Sequence, residues 1–426
     1  MVKLLRTILV LITTAILFFG CSAAKEEQQA ELKNGIWRGV LSIQGEELPF
    51  NFEIKTENNS IKAYLINAEE KLELDSIVIE NHSVYMPMHI FDADIKAKIE
   101  GDKLIGHWTK NYAEDYRIPF TATHGDKFRF KSDNKTPYNS IEGNWQVTFV
   151  HDNDTTESVA IFEQKKDRVI GTYLTPTGDY RYLEGIMDGD QLKISTFDGG
   201  HAFLFTALLL EDGSLKGDYW SGKSWHEEWT AVKDSTASIP DPDEITFLKD
   251  GYSKIDFSFP GLSGNQVTPN DPKYKDKILI LQLFGTWCPN CMDETKFLKS
   301  WYDENQDRGV EILALAYEAK SDFDYAKGRV LKMKRKLGVN YDFVIAGTSN
   351  KQEASKTLPM LNSISSFPTT IFIDKTGLVR RIHTGFTGPG TGVYYDDFIK
   401  EFNLTVDELL DENYLLRMLI NDSRLI

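Results

Sequence analysis

Residues 278–294 read Ile278-Leu-Ile-Leu-Gln-Leu-Phe-Gly-Thr-Trp-Cys288-Pro-Asn-Cys291-Met-Asp-Glu294. The first seven form an apolar run of strand length interrupted only by Gln282, Gly285-Thr286-Trp287 is a turn, and Phe297, Leu298 and Trp301 then recur at helical spacing. The pattern predicts a buried strand, a turn and a helix that Cys288 opens. Free backbone N–H groups and the positive end of the helix dipole gather at such an entrance. They favour a thiolate there, which makes Cys288 the attacking sulfur. Cys291, one turn on, is expected to be buried and to act as the resolving thiol.

The chain holds only one other cysteine, Cys21. A bond between Cys288 and Cys291 closes so short a loop that chain entropy would contribute little stability, so a structural staple explains the pair poorly. A zinc site would need two further ligands, and none of the eight histidines forms a second pair at ligand spacing near a turn. A peroxiredoxin needs a lone peroxidatic cysteine, and a cysteine hydrolase has no more support. A redox-active Cys-x-x-Cys remains, and it requires neither an organic cofactor nor a metal.

With 426 residues the chain is long enough for several domains, each with its own core. Apolar residues make up 41% and charged residues 26%, as in folded soluble domains. Lys and Arg total 48 against 64 Asp and Glu, a net charge of -16, so no broad basic face is available for phosphates and nucleic acid is excluded as a partner. Residues 1–20 combine Lys3 and Arg6 with an apolar run from Ile8 to Phe19, too short to span a membrane in comfort, as in a bacterial secretory signal. Gly20-Cys21 resembles a lipobox, where cleavage leaves a cysteine bearing lipid, although Phe18 and Phe19 depart from the usual Leu and small residue. The expectation is an exported chain anchored to the membrane through Cys21, with Lys25-Glu26-Glu27 in a solvated tether.

From about Lys249 to the C-terminus the chain resembles the TlpA/ResA-like thiol-disulfide oxidoreductases, which have a thioredoxin fold. The resemblance rests on Asp256-Phe257-Ser258-Phe259 with Gly264-Asn265-Gln266-Val267, on Trp287-Cys288-Pro289-Asn290-Cys291, and on Glu294 three residues later. It continues through Glu311–Tyr317, Phe367-Pro368-Thr369-Thr370-Ile371-Phe372-Ile373-Asp374-Lys375-Thr376-Gly377, and Gly385-Phe386-Thr387-Gly388-Pro389-Gly390. It implies a cis bond before Pro368 and a substrate groove bounded by Trp287, Pro289, Phe367 and Pro368. It also implies electrons from a membrane-embedded thiol donor, and work in the reducing direction on protein disulfide or dithiol substrates. Two positions depart from the pattern. Lys296 replaces a helix proline, and Gln282 stands where cytosolic thioredoxins carry a buried Asp. Glu294 then either transfers a proton to Cys291 through water or merely caps the first helical turn at the surface. The stretch Lys327–Lys336 reads as a basic helical insertion, not a binding site.

The N-terminal half repeats. Gly35-Ile-Trp37 recurs as Gly143-Asn-Trp145, Gly101–Trp108 parallels Asp212–Trp220, and Tyr116-Arg-Ile-Pro-Phe-Thr-Ala parallels His226-Glu-Glu-Trp-Thr-Ala231. Glu-Gly-Asp, Asp-Gly-Asp and Asp-Gly-Ser turns join short alternating strands, which predicts two antiparallel barrels or sandwiches. The Gly-x-Trp strand resembles the entry strand of lipocalin-like barrels, which enclose ligands; Trp108, Trp220, Trp225 and Trp229 would line a pocket or close a core.

The expected organisation is a multidomain chain of two tandem all-β modules followed by an α/β thioredoxin-fold domain. Residues 1–20 form a signal peptide, 21–33 a tether, 34–130 and 140–233 the β modules, 131–139 and 234–248 linkers, and 249–426 the redox domain. The expected function is that of an exported oxidoreductase facing the periplasm or cell surface of a Gram-negative-type envelope. The alternative is a ligand-binding surface lipoprotein whose β modules carry the function.

Overall fold

The computed structural model describes residues 31–422 except 59, 134 and 153. The expected signal peptide and Cys21 lie outside the described residues. Between Gly35 and His124 nine antiparallel strands form one open sheet. Its first strand, Gly35–Ile43, lies between Glu46–Glu57 and the last strand, Arg117–His124, and its edges are Glu70–Glu73 and Val78–Glu80. The second module, Gly143 to Lys233, follows the same path and closes. Asp154–Lys165 pairs with Arg168–Thr175 as well as with Gly143–His151, which completes an eight-stranded barrel.

The repeat is visible at atomic detail. Gly35 and Gly143 take φ of 116° and 112°, a conformation that glycine tolerates at little cost. Two residues on, Trp37 and Trp145 each donate from Nε1 to the carbonyl four residues back, of Lys33 at 2.9 Å and Ile141 at 2.8 Å. A buried indole needs such a partner. The barrel is filled by Phe149, Tyr173, Phe205, Tyr219 and Trp229, with Tyr173 and Phe205 stacked at 4.4 Å. The open sheet cannot bury its own concave face. Phe197 from the barrel wall covers it, 4.5 Å from Phe50 and 5.1 Å edge-on to Trp108. Of the four tryptophans above, Trp108 and Trp229 are core, Trp220 is half-buried, and Trp225 is exposed against His151.

The C-terminal domain is built from β1 (Ile278–Phe284), α1 (Pro289–Asn305), β2 (Val310–Glu318), α2 (Phe323–Leu337), β3 (Asp342–Thr348), α3 (Lys351–Thr357), β4 (Thr369–Ile373), β5 (Val379–Thr384) and α4 (Val393–Asp422). The sheet order is β3-β2-β1-β4-β5. The first three strands are parallel, and β4 and β5 are antiparallel to their neighbours. Every residue of β1, β2 and β4 is buried, as expected of strands covered on both faces.

One expectation is corrected here. The stretch around Lys327–Lys336 is not an insertion: α2 is the crossover between parallel strands β2 and β3, and β3 is an integral strand of the sheet. Nor is its basic face idle. Lys332 and Lys336 pair with Asp75 of the open sheet, and Tyr325 donates to Asp92 at 2.7 Å. Among the described residues no helix is long and apolar enough to cross a membrane.

Candidate active site

The turn between β1 and α1 places the two thiols. Cys288 has extended backbone dihedrals and caps α1, its Sγ accepting the Cys291 N–H at 3.3 Å, and Pro289 opens the helix, where its missing N–H costs nothing. The sulfur thus occupies the helix entrance, where the Cys291 N–H points at it. Its thiol also donates to the Phe367 carbonyl at 3.5 Å, and the Phe367–Pro368 bond is cis. Cys291 is fully buried. Desolvation pushes its thiol up, and the neighbouring Cys288 sulfur adds to the effect. Two sulfurs with unequal surroundings follow, one at the helix entrance and one sealed beneath it and held protonated. Both are free thiols.

The turn is held from three sides. Trp287 donates from Nε1 to Tyr317 O at 2.9 Å and meets Phe367 edge-on at 5.9 Å. A Cβ on Gly285 would lie 2.2 Å from that indole nitrogen. Glu318, at the end of β2, accepts the Thr286 N–H at 2.9 Å and its hydroxyl at 2.7 Å, and burial pushes its carboxyl up to about 7. Glu294 is no surface cap: it is 1% exposed and accepts hydrogen bonds from Thr370 at 2.7 Å and Gln282 at 2.8 Å. Its carboxyl too is pushed up to about 7 by burial, which suits a group that exchanges protons near neutrality. Among the described residues no cluster of three or more His, Cys, Asp or Glu is arranged for a metal.

The β modules reach this site. Asn290 donates to Asp179 O at 2.8 Å and Ser366 to Thr177 O at 3.0 Å, while Pro289 lies against Gly200. The structure thus brings Trp287, Cys288, Pro289, Cys291, Glu294, Phe367 and Pro368 together. Glu318, Thr286, Thr370 and Asn290 complete the surroundings without having been singled out in the sequence. Glu318 alone carried a signal, as a carboxylate at the carboxyl end of a buried parallel strand, where sites in open α/β sheets collect.

A strand-to-helix Cys-x-x-Cys beside a cis-proline strand, on a sheet of this order, defines a thioredoxin-fold dithiol protein. A model of the AhpC/TSA family matches residues 251–382. The thiol-disulfide oxidoreductase ResA of Geobacillus thermodenitrificans is 31% identical over 144 residues, 33% of this chain and 73% of that protein. The ResA of Bacillus subtilis is 25% identical over 138 residues, 32% of this chain and 69% of that protein. Among solved structures, a putative thiol:disulfide interchange protein DsbE from Chlorobium tepidum aligns at 18% identity with a TM-score of 0.29, over 38% of this chain and 99% of that chain. Through its C-terminal third the chain belongs to the ResA family of thiol-disulfide oxidoreductases.

Proposed function

We propose that this protein is an exported reductase of protein disulfides, held at a membrane by lipid on Cys21 and facing the periplasm or cell surface. The Cys288 thiolate attacks one sulfur of a substrate disulfide, forming a mixed disulfide and releasing the other sulfur as a thiolate. Cys291 then gives up its proton, towards Glu294, and attacks the Cys288 sulfur. The Cys288–Cys291 bond forms, the substrate leaves as a dithiol once protonated, and two electrons have passed to it. A membrane-embedded thiol donor would restore the pair.

The observation that carries this reading is the contrast within the pair: Cys288 at the helix entrance accepting the Cys291 N–H, and Cys291 sealed beneath it. The vicinal pair distinguishes it from a single-cysteine peroxidase. The rival reading, capture of a ligand inside a β module, loses support from the aromatic side chains that fill the barrel. Insulin-disulfide reduction by the full chain in detergent, beside Cys288→Ser, is the test. Turnover by the native protein and none by the variant is expected; equal turnover by both, or none by either, removes the proposal.

A further inference from the structure

The thiol face of the redox domain is covered. Cys288 is 5% exposed and Phe367 6%, yet attack on a protein disulfide needs an approach to that sulfur. A loop of the second module lies against residues on both flanks of that sulfur, Ser366 and Asn290. Thr177 gives its carbonyl to Ser366, next to the Phe367–Pro368 bond; Asp179 gives its carbonyl to Asn290 and its carboxylate to the Gly388 N–H at 2.6 Å. The fit leaves no slack: a Cβ on Gly178 would lie 3.2 Å from the Asn290 amide, and one on Gly385 would lie 2.7 Å from the Thr177 carbonyl carbon. On the opposite flank a Cβ on Gly200 would lie 2.8 Å from Pro289 Cγ.

One buried cation fastens the loop. Arg181 donates to Asp293 on α1 at 2.7 Å, to Asp198 of its own module at 2.8 Å, and to Glu70 of the open sheet at 2.6 Å. It therefore ties all three parts of the chain together within two residues of Cys291. Removing one partner of a buried ion cluster leaves the others uncompensated, so the contact is either whole or strongly disfavoured. The loop also spends its own carbonyls on Ser366 and Asn290, donors that an incoming chain beside the cis-proline strand would otherwise meet.

We infer that the Thr177–Arg181 loop is a built-in plug over Cys288, pinned by Arg181, and that a protein disulfide reaches the thiol only when the β modules separate from the redox domain. The inference rests on the reading of Cys288 as the attacking thiol. The closed form is then a resting state, and whatever favours the separated form sets the rate.

The test is the size dependence of Cys288 alkylation in the reduced full chain, read as loss of the unmodified Cys288 peptide by mass spectrometry. N-ethylmaleimide is compared with a maleimide on a long polyethylene glycol chain, each rate normalised to that of the denatured protein. The native protein is expected to exclude the large reagent about tenfold or more relative to the small one, because small local openings of the loop admit the small reagent whereas the large one must wait for the β modules to separate. Arg181→Met, which removes the pin, and Gly200→Leu, which wedges the interface against Pro289 without touching a charge, should each close that gap. Absence of size discrimination in the native protein overturns the inference, as does its persistence in either variant while folded. Where Arg181→Met does not fold, Gly200→Leu decides. Alkylation needs no turnover, so a size-gated native thiol whose ungated variants still reduce no insulin removes the reductase reading and keeps the plug, whereas an active protein with an ungated thiol does the reverse.

Discussion

The Gln282 side chain donates to Glu294 at 2.8 Å, so an amide of β1 steadies a carboxyl on α1 one turn beyond Cys291. The strand position that cytosolic thioredoxins fill with an acid is neutral here, and the acid has moved to the helix. Thr370 of β4 holds its other oxygen. The carboxyl is thereby held by two neighbouring strands, through the cross-strand partners Gln282 and Thr370.

Glu294 makes stability depend on pH. Its carboxyl is at about 7 in the folded protein, above the usual 4.5, so the folded state holds the extra proton between those values. That contribution is fully present below about pH 4.5, is lost as pH rises towards 7 and then stays constant, a swing of about 3 kcal/mol at most. Glu318 adds a change of the same sign. Glu294→Gln should flatten its share, seen as a smaller drop in the denaturant midpoint between pH 5 and pH 8. An unchanged drop means that Glu294 does not titrate in this window.

The same substitution bears on chemistry. With Glu294 as acceptor, release of substrate from the mixed disulfide should speed up as pH rises through about 7 and lose that step in Glu294→Gln, in single-turnover measurements. Cys291→Ser should stop the reaction at the mixed disulfide, leaving substrate covalently attached on a non-reducing gel, while Cys288→Ser should attach none. Attachment through Cys291 in the Cys288→Ser protein would reverse the two roles.

Glu318 is a positioning residue, since it acts through the Thr286 N–H and hydroxyl that lead into Cys288. Glu318→Ala leaves both donors buried without their acceptor and should cost about 1–3 kcal/mol. Glu318→Gln keeps an acceptor and should lose less. The rate of Cys288 alkylation by a small reagent should shift with Ala and recover with Gln, which a purely structural loss would not do.

Two glycines should respond in opposite directions. Gly217 lies where a Cβ would sit 1.8 Å from Thr206 O, so Gly217→Ala forces two barrel strands apart and should destabilise by about 1–3 kcal/mol or more. Its counterpart in the repeat, Gly106, is as tightly placed, 1.9 Å from Lys96 O. Gly328, inside α2, has open space around its Cβ position, and Gly328→Ala should stabilise by about 0.5–1 kcal/mol. Thermal midpoints of the single variants check both signs.

The strand, turn and helix around Cys288 and the repeat marked by Trp37 and Trp145 were legible because each rests on local rules, whereas the cis bond before Pro368 came from the family resemblance. An apolar run of strand length ending at a glycine turn reads as a buried strand, glycine takes positive φ at little cost, and a helix entrance favours a cysteine as thiolate. Strand β3 was missed because Asp342-Phe-Val-Ile-Ala-Gly-Thr is short and follows a basic helix, and its place at the sheet edge comes from pairing with β2, not from its own pattern. Whether Glu294 was a surface cap or a buried acid could not be read from spacing, because burial depends on β4, some 75 residues away in sequence.

Sequence therefore determined the strand, turn and helix that carry the pair and, with the family resemblance, the class of each module, since these follow from neighbours along the chain. Only the tertiary structure decided that the first sheet stays open and borrows Phe197 from the barrel, that Glu294 and Glu318 are buried, and that Arg181 joins three parts of the chain across the thiol face. Those are contacts between residues far apart in sequence. They arise when unsatisfied apolar faces and buried charges find partners, and no local period encodes which partner that is.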